Sequence, residues 1–399
     1  MRSFQMMTIL LFLGTFLTIT YGTYLNLRSI LRGNKKSILI YPFIVFHAII
    51  ILAFIYLYIY PNSPRTATNY SQYLIFNFVL FALFIFNLIN SITFLLHFVF
   101  ARRKSPVLPY CGLIVSLGFV LSMIFGTFGG TRQLKTENHE LYFSSLPEHF
   151  DNYRLLVFTD THLGGMLFPH SLFKKASDIA EKVKPDIILF AGDLVNNFAY
   201  EIEGFESLFQ QITRHAPSFS ILGNHDYGDY TNWKAPELKD SNFNAIVNSN
   251  KELGFHLLRN EHSIITRSND SIYIAGVENW GHPPFPQYAD LEKAMKNIPD
   301  NAFTILLTHD PAHWESHVKQ MENIQLTLSG HTHGMQWGIK LAGIPFSLAY
   351  LSRINWGGLY KNDNTALYVN TGFGTVGVPW RLDMPAEITI ITLKRGKID

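Results

Sequence analysis

Over its first 128 positions the chain shows almost no alternation of apolar and polar residues. Apolar runs cover residues 6–24, 38–60, 73–100 and 108–128, and none contains Asp, Glu, Lys or Arg. A helix needs about 20 such residues to cross the hydrocarbon of a bilayer. A single segment there must also close its backbone hydrogen bonds within itself. Four runs in succession predict a four-helix transmembrane bundle over residues 1–128. After it the rhythm changes. Short apolar runs at 155–158, 187–190, 219–222, 303–307 and 324–328 each stop abruptly at a small polar cluster. Helical patterns at 172–183 and 291–296 separate some of them. Runs of this length, bounded by turn residues, predict buried strands of an α/β domain. A Gly-, Thr- and Asn-containing stretch at 129–139 reads as a linker, and residues 140–399 as one domain.

The clusters carry the chemistry. They are Asp160-Thr161-His162, Gly192-Asp193, Gly223-Asn224-His225-Asp226, Thr308-His309-Asp310 and Gly330-His331-Thr332-His333-Gly334. Asp, Asn and Gly after a strand are ordinary turn formers. Histidine is not, and four of the five clusters contain it. Ligands of open α/β sheets bind beyond the carboxyl ends of the strands, so clusters distant in sequence are expected to meet at one edge. Carboxylate and imidazole without thiolate suit Mn, Fe or Zn. Two such cations would leave a net positive site, able to bind a phosphate across both and to hold a hydroxide for in-line attack. No Ser or Cys nucleophile is needed.

Composition narrows the classes. A net charge of +2 and the lack of a basic, aromatic-interleaved stripe argue against nucleic acid. The single cysteine, Cys111, lies in an apolar run and builds neither a disulfide nor a thiolate cluster. Basic residues stay on the cytoplasmic side. The first connection holds Arg28, Arg32, Lys35 and Lys36 and the third Arg102, Arg103 and Lys104, against Arg65 in the second. That count puts the catalytic domain on the outer, periplasmic or extracellular, face of a plasma or inner membrane. No Ala-x-Ala-like site follows the first run, which is read as an anchor. Within the spans, His47, Asn77, Asn87, Asn90 and His97 are read as helix-packing residues rather than a transport path.

Taken together, D-x-H, G-D, G-N-H-D, the histidine before Asp310-Pro311 and G-H-T-H-G resemble the calcineurin-like metallophosphoesterase superfamily over about 141–393. The stretch 372–381 with Glu387 is similar to its membrane-attached YkuE- and YaeI-like branch, and the multi-pass arrangement to animal transmembrane proteins bearing such a domain. The resemblance implies a four-layer α/β sandwich, two mixed sheets flanked by helices, and two divalent metal ions. It implies that Asp160, His162 and His333 bind one cation and Asn224, His309 and His331 the other, with Asp193 bridging. His225 would contact phosphate and protonate the leaving group, and Asp226 would orient it. Met335 and Asn196 depart from the pattern, where Gly and an acid are common.

Elsewhere the readings are plainer. Tyr227, Tyr230 and Trp233 follow the His225 loop and either pack locally, the commoner outcome, or line a pocket mouth, and the remaining histidines are expected to be surface or structural residues. The apolar 337–360 region is expected to lean on the bilayer, admit a lipid tail or cover the core. The sequence thus predicts a phosphoesterase acting on a phosphorylated small molecule or phospholipid-like substrate. The alternatives are a membrane sensor or transporter component that binds without turnover, or hydrolysis on the cytoplasmic side.

Overall fold

The computed structural model describes residues 2–31, 40–58, 70–100, 106–281, 286–341, 344–351, 354–362 and 364–396. Arg32, Lys35, Lys36, Arg65, Arg102, Arg103, Lys104 and His282 lie outside the described residues. The chain divides into two compact units, Met1–Phe125 and Gly126–Asp399.

The apolar runs form α1 (Arg2–Ile30), α2 (Ile40–Tyr58), α3 (Tyr70–Phe100) and α4 (Val107–Phe128). Among the described residues, four helices are long and apolar enough to cross a membrane, and the chain is a membrane protein. Their burial is inverted relative to a water-soluble bundle. Leu10, Leu11, Leu52, Ile114 and Leu121 face outward, whereas Thr23, Asn26, Asn87, Asn90 and Ser116 are buried. In hydrocarbon an unpaired amide is costly, so polar side chains turn inward and bond across helix pairs. Asn26 Nδ2 donates to Asn90 Oδ1 (2.9 Å) and Asn90 Nδ2 to Ser116 Oγ (2.7 Å), which connects α1, α3 and α4. Asn87 Nδ2 lies 3.0 Å from His47 Nε2, and Thr23 Oγ1 donates to the Asn87 carbonyl (3.1 Å). These contacts are of the packing kind expected for His47, Asn87 and Asn90.

The second unit contains β1 (Leu134–Phe143), β2 (Tyr153–Phe158), β3 (Ile187–Phe190), β4 (Ser218–Ser220), β5 (His256–Leu257), β6 (Glu261–Arg267), β7 (Asp270–Gly276), β8 (Phe303–Leu307), β9 (Leu326–Ser329), β10 (Ile339–Leu341), β11 (Ile344–Phe346), β12 (Gly358–Asn362), β13 (Thr365–Val369) and β14 (Ala386–Arg395). Two six-stranded mixed sheets result, ordered β1-β14-β2-β3-β4-β5 and β12-β13-β9-β8-β7-β6, while β10 and β11 pair separately. In the first sheet β2, β3 and β4 run parallel, and in the second β7, β8, β9 and β13 do.

Side chains alternate across each strand. Leu155 and Val157 of β2 enter a core between the sheets with Ile305 and Leu328. Leu156 and Phe158 face the opposite way, joining Phe173 of α5 (Pro169–Val183) and Phe209 of α6 (Glu206–Thr213). Ile246 of α7 (Pro236–Glu252) lies in that same layer. On the outer side of the second sheet, Leu306 and Leu367 pack with Ala294 of α8 (Leu291–Met295) and Trp314 of α9 (Ala312–Ser316). The domain is therefore a helix, sheet, sheet, helix sandwich. The 129–139 stretch, read as a linker, contributes a 3-10 turn at Gly130–Arg132 and the start of β1, which pairs in parallel with β14.

Replacing Asn90 with Leu strands the Asn26 and Ser116 partners inside the bundle. The unfolding midpoint of the detergent-solubilised chain is expected to fall by the equivalent of roughly 1 kcal/mol, and an unchanged midpoint would show that this network does not hold the helices.

Candidate metal centre

Five strand ends deliver the site. Hydrogen bonds between the loops after β2 and β3 set their relation: Asp160 N donates to Gly192 O (2.9 Å) and His162 N to Asp193 O (3.2 Å). The loops after β8 and β9 are joined by Gly330 N donating to His309 O (3.0 Å). Asp160, His162, Asp193, His331 and His333 all have left-handed φ, between 43° and 74°. Such backbone costs about 1–3 kcal/mol per residue and persists only where surroundings enforce it. Two glycines make room. Gly192 has φ 96°, and a Cβ there would stand 2.6 Å from Gly223 N. A Cβ on Gly330 would stand 2.2 Å from Asp160 Oδ2.

The seven expected ligands converge. Asp160, His162 and His333 offer ligand atoms within 4.8 Å of one another, as do Asp193, His309 and His331. Asn224 joins the second group through Oδ1, 2.8 Å from His331 Nδ1. Asp193 Oδ2 stands 3.5 Å from His162 Nε2 and 3.0 Å from His309 Nε2, so one carboxylate touches both groups. His225 also groups with His162 and Asp193, its ring edge-on to His162 at 4.7 Å.

Hydrogen-bond logic tests whether cations fit. A carbonyl only accepts, so His309 Nδ1, 2.7 Å from Ala191 O, carries the hydrogen. That leaves Nε2 facing the Asp193 carboxylate at 3.0 Å, where either a proton or a metal cation must stand between the two. The Nε2 atoms of His162 and His333 face each other at 2.9 Å, while both Nδ1 atoms are buried without a partner. Lone pairs of imidazole and carboxylate converging out of water match the donor set of a dimetal site.

The electrostatics carry the same message. Burial favours the neutral acid at Asp160, but His333 and His309 hold it well below the usual carboxylate range. Asp193 is held low in the same way, against burial, by His309, His225 and His162. Burial opposes charge on His309, yet Asp193 and Asp160 push its pKa up to about 10. His162, where burial prevails, is driven well down. Each carboxylate is thus an anion, neutral His162 keeps one ring nitrogen free of a proton, and at His309 a proton occupies the place that a cation would take.

The supporting shell differs from expectation at one point. Asp226 does not meet the His225 ring, whose Nδ1 donates to the Asn196 carbonyl (2.8 Å). Its buried carboxylate instead accepts from the backbone N–H groups of Asp193, Leu194, Val195 and Gly223 at 2.9–3.1 Å. Burial and the nearby Asp193 charge push Asp226 up to about 7 despite those bonds. Asp226 thus fixes the loop that carries Asp193, and orients His225 through the shared backbone.

Two further residues, Glu201 and Arg381, were not visible as site residues in the sequence, and a third, Tyr230, had the pocket mouth as one of its two expected places. Glu201 is buried and accepts from Gly164 N, Asn196 N, Asn196 Nδ2, Asn197 N and Phe198 N at 2.8–3.0 Å, securing the loops after β2 and β3. The buried Arg381 guanidinium donates to the carbonyls of Thr371, Gly372, Gly374 and Met384, bracing the turn behind His333. Tyr230 stacks on His225 at 4.3 Å and its hydroxyl accepts from Asn224 Nδ2 (2.7 Å). Tyr227 and Trp233 do pack locally: Tyr227 stacks on Tyr288 at 4.2 Å, and Trp233 Nε1 donates to Gly228 O. An N–H-rich loop after a strand is the signal that points to a buried acid such as Glu201. It names no particular acid.

Comparison with known proteins follows the same outline. Residues 153–335 match the family model described as calcineurin-like phosphoesterase. The uncharacterized metallophosphoesterase YkuE of Bacillus subtilis is 29% identical over 280 residues, covering 67% of this chain and 90% of that protein. An uncharacterized metallophosphoesterase of Helicobacter pylori is 26% identical over 391 residues, 96% of this chain and 97% of that protein. A transmembrane protein with metallophosphoesterase domain from Danio rerio is 28% identical over 283 residues, 68% of this chain and 60% of that protein. The matched segment runs from β2 through the turn bearing His331 and His333, the same stretch that builds the ligand cluster, so the chain carries a calcineurin-like metallophosphoesterase domain and is a metal-dependent phosphoesterase.

Proposed function

We propose that the chain hydrolyses a phosphate ester or pyrophosphate, on a small molecule or a lipid-linked carrier, at the outer face of the membrane. The observation that carries this reading is the Asp193 carboxylate, which lies against imidazoles of both ligand groups. Asp160, His162 and His333 would hold one divalent ion and Asn224, His309 and His331 the other, with Asp193 placed to serve both, and Mn, Fe or Zn would suit these donors. When bound, the pair polarises phosphate oxygens and activates water for in-line displacement. Asp160 and Asp193 return two negative charges against the four positive ones of two divalent ions, so the site keeps affinity for anionic phosphate.

The protein groups divide the remaining work. With its Nδ1 hydrogen committed to Asn196 O, His225 in its imidazolium form carries a second hydrogen on Nε2, which can bond a phosphate oxygen and pass to the departing oxygen, leaving the neutral ring. Tyr230, stacked on that ring, limits its swing and keeps Asn224 turned toward His331. Glu201 and Asp226 hold the loops, so that ligand positions do not depend on the substrate. The outer-face orientation rests on the basic residues of the first and third connections.

Added divalent metal should be required for phosphate release by the purified chain, and a double variant, Asp193→Ala with His309→Ala, should lose at least about a hundredfold of it; full activity in that variant refutes the assignment. His225→Ala should slow the reaction by about 10²–10⁴-fold for an alkyl ester and far less for a nitrophenyl ester, whose leaving group needs no proton. Equal losses on both esters would remove His225 from proton delivery. Reporter fusions placed after Phe128 should be active only on the outer side, and a signal confined to the cytoplasm would reverse the orientation.

A further inference from the structure

The hydrolytic reading makes no use of the segment that follows the His331–Gly334 turn. From Met335 to Trp356 it contains Trp337, Phe346, Tyr350 and Trp356, and its charged residues are Lys340 and Arg353, with no acid. Met335, Phe346, Tyr350, Leu351 and Ile354 are 51, 37, 63, 76 and 74% exposed. Elsewhere between 134 and 396, the large exposed apolar side chains among the described residues are Tyr142, Tyr230, Leu238 and Ile264, spaced far apart in sequence. Single exposed apolar residues are ordinary, whereas a run of them marks a contact surface.

This segment is tied to the metal centre. The Ser347 hydroxyl donates to the Gly334 carbonyl, Ala349 N donates to Ser347 Oγ (3.1 Å), and the Thr332 hydroxyl donates to the Trp356 carbonyl. The middle of the apolar stretch, at Ser347, and its far end, at Trp356, are therefore clipped to the turn that presents His331 and His333. A surface held this way cannot approach its partner without bringing the ligand cluster with it.

Two facts identify the partner. The fourth apolar helix ends at Phe128 and β1 begins at Leu134, so only a short stretch of chain joins the last span to the first strand. Aromatic residues with flanking basic charge and no acid are the composition that favours a membrane interface with anionic headgroups.

We propose that the exposed apolar residues Met335, Phe346, Tyr350, Leu351 and Ile354 form a rim that dips into the bilayer, with Tyr350, Leu351 and Ile354 entering the acyl region. The substrate class is then a phosphorylated lipid, whose hydrocarbon stays in the membrane while its phosphate reaches the ligand cluster. The proposal rests on the phosphoesterase reading for its chemistry and on the rim alone for its geometry.

The test uses the full chain in nanodiscs of phosphatidylcholine and phosphatidylglycerol. A Cys111→Ser, Leu351→Cys variant carries an environment-sensitive fluorophore at position 351. Bromine on the lipid acyl chains should quench it. An unquenched label overturns the rim, whether its emission is that of water or is shifted by a covering protein surface such as a second copy. In a Leu351→Ser, Ile354→Ser variant, turnover of phosphatidic acid relative to soluble nitrophenyl phosphate should fall about tenfold or more, given the apolar area removed. Cleavage of the soluble ester by the same preparation reports that it is folded, and an unchanged ratio counts against lipid delivery. If the wild type cleaves neither compound while bromine still quenches, the hydrolytic reading fails and the rim stands.

Discussion

Two carboxylates buried side by side out of water repel one another unless positive charge, carried by protons on the neighbouring imidazoles or by bound cations, lies between them. Desolvation makes an unpaired buried charge costly, so a chain that buries Asp160 and Asp193 beside His162, His309 and His333 commits itself to binding cations. The other features of the domain serve that commitment. Left-handed backbone at the ligands aims side chains inward, glycines beside them leave space, and the sandwich core keeps the strand ends in place.

The loops are held by charge as well as by sheet hydrogen bonds. Asp226 and Glu201 each gather several backbone N–H groups, and Arg381 gathers carbonyls on the opposite side. These charged groups act on the ligands only through the backbone they hold. A site built so does not wait for substrate to assemble, which is the condition for electrostatic catalysis at low reorganisation cost.

How much of this was readable in the sequence depended on whether a residue's role is local. Strand β8 was bounded at Phe303–Leu307 and β3 at Ile187–Phe190 because each apolar run ends at a turn cluster. The long helix α7 escaped, since its polar sequence buries little more than Ile246 and Asn250. Hairpin β6-β7 escaped too: β6 is largely solvent-facing and offers no apolar run. Within the site, histidines after strands stood out because histidine is a poor turn former. Glu201 and Arg381 did not, because their partners are backbone groups that leave no mark in sequence. Asp226 was assigned to His225 by the family resemblance, whereas its carboxylate turns to the Asp193 loop, a choice made by three-dimensional closure. In the membrane unit the polar residues were visible, but which of them meet was not.

The membrane unit and the metallophosphoesterase domain answer the same physical problem in opposite solvents: polar groups must find partners wherever water is absent. Amides and hydroxyls do so between the helices, and in the domain the two ligand groups are arranged to take a pair of cations as partner. Elemental analysis of the full chain, purified without chelators, tests that claim most directly. About two equivalents of transition metal per chain are predicted from the two ligand groups, and active protein with no bound transition metal would contradict the account.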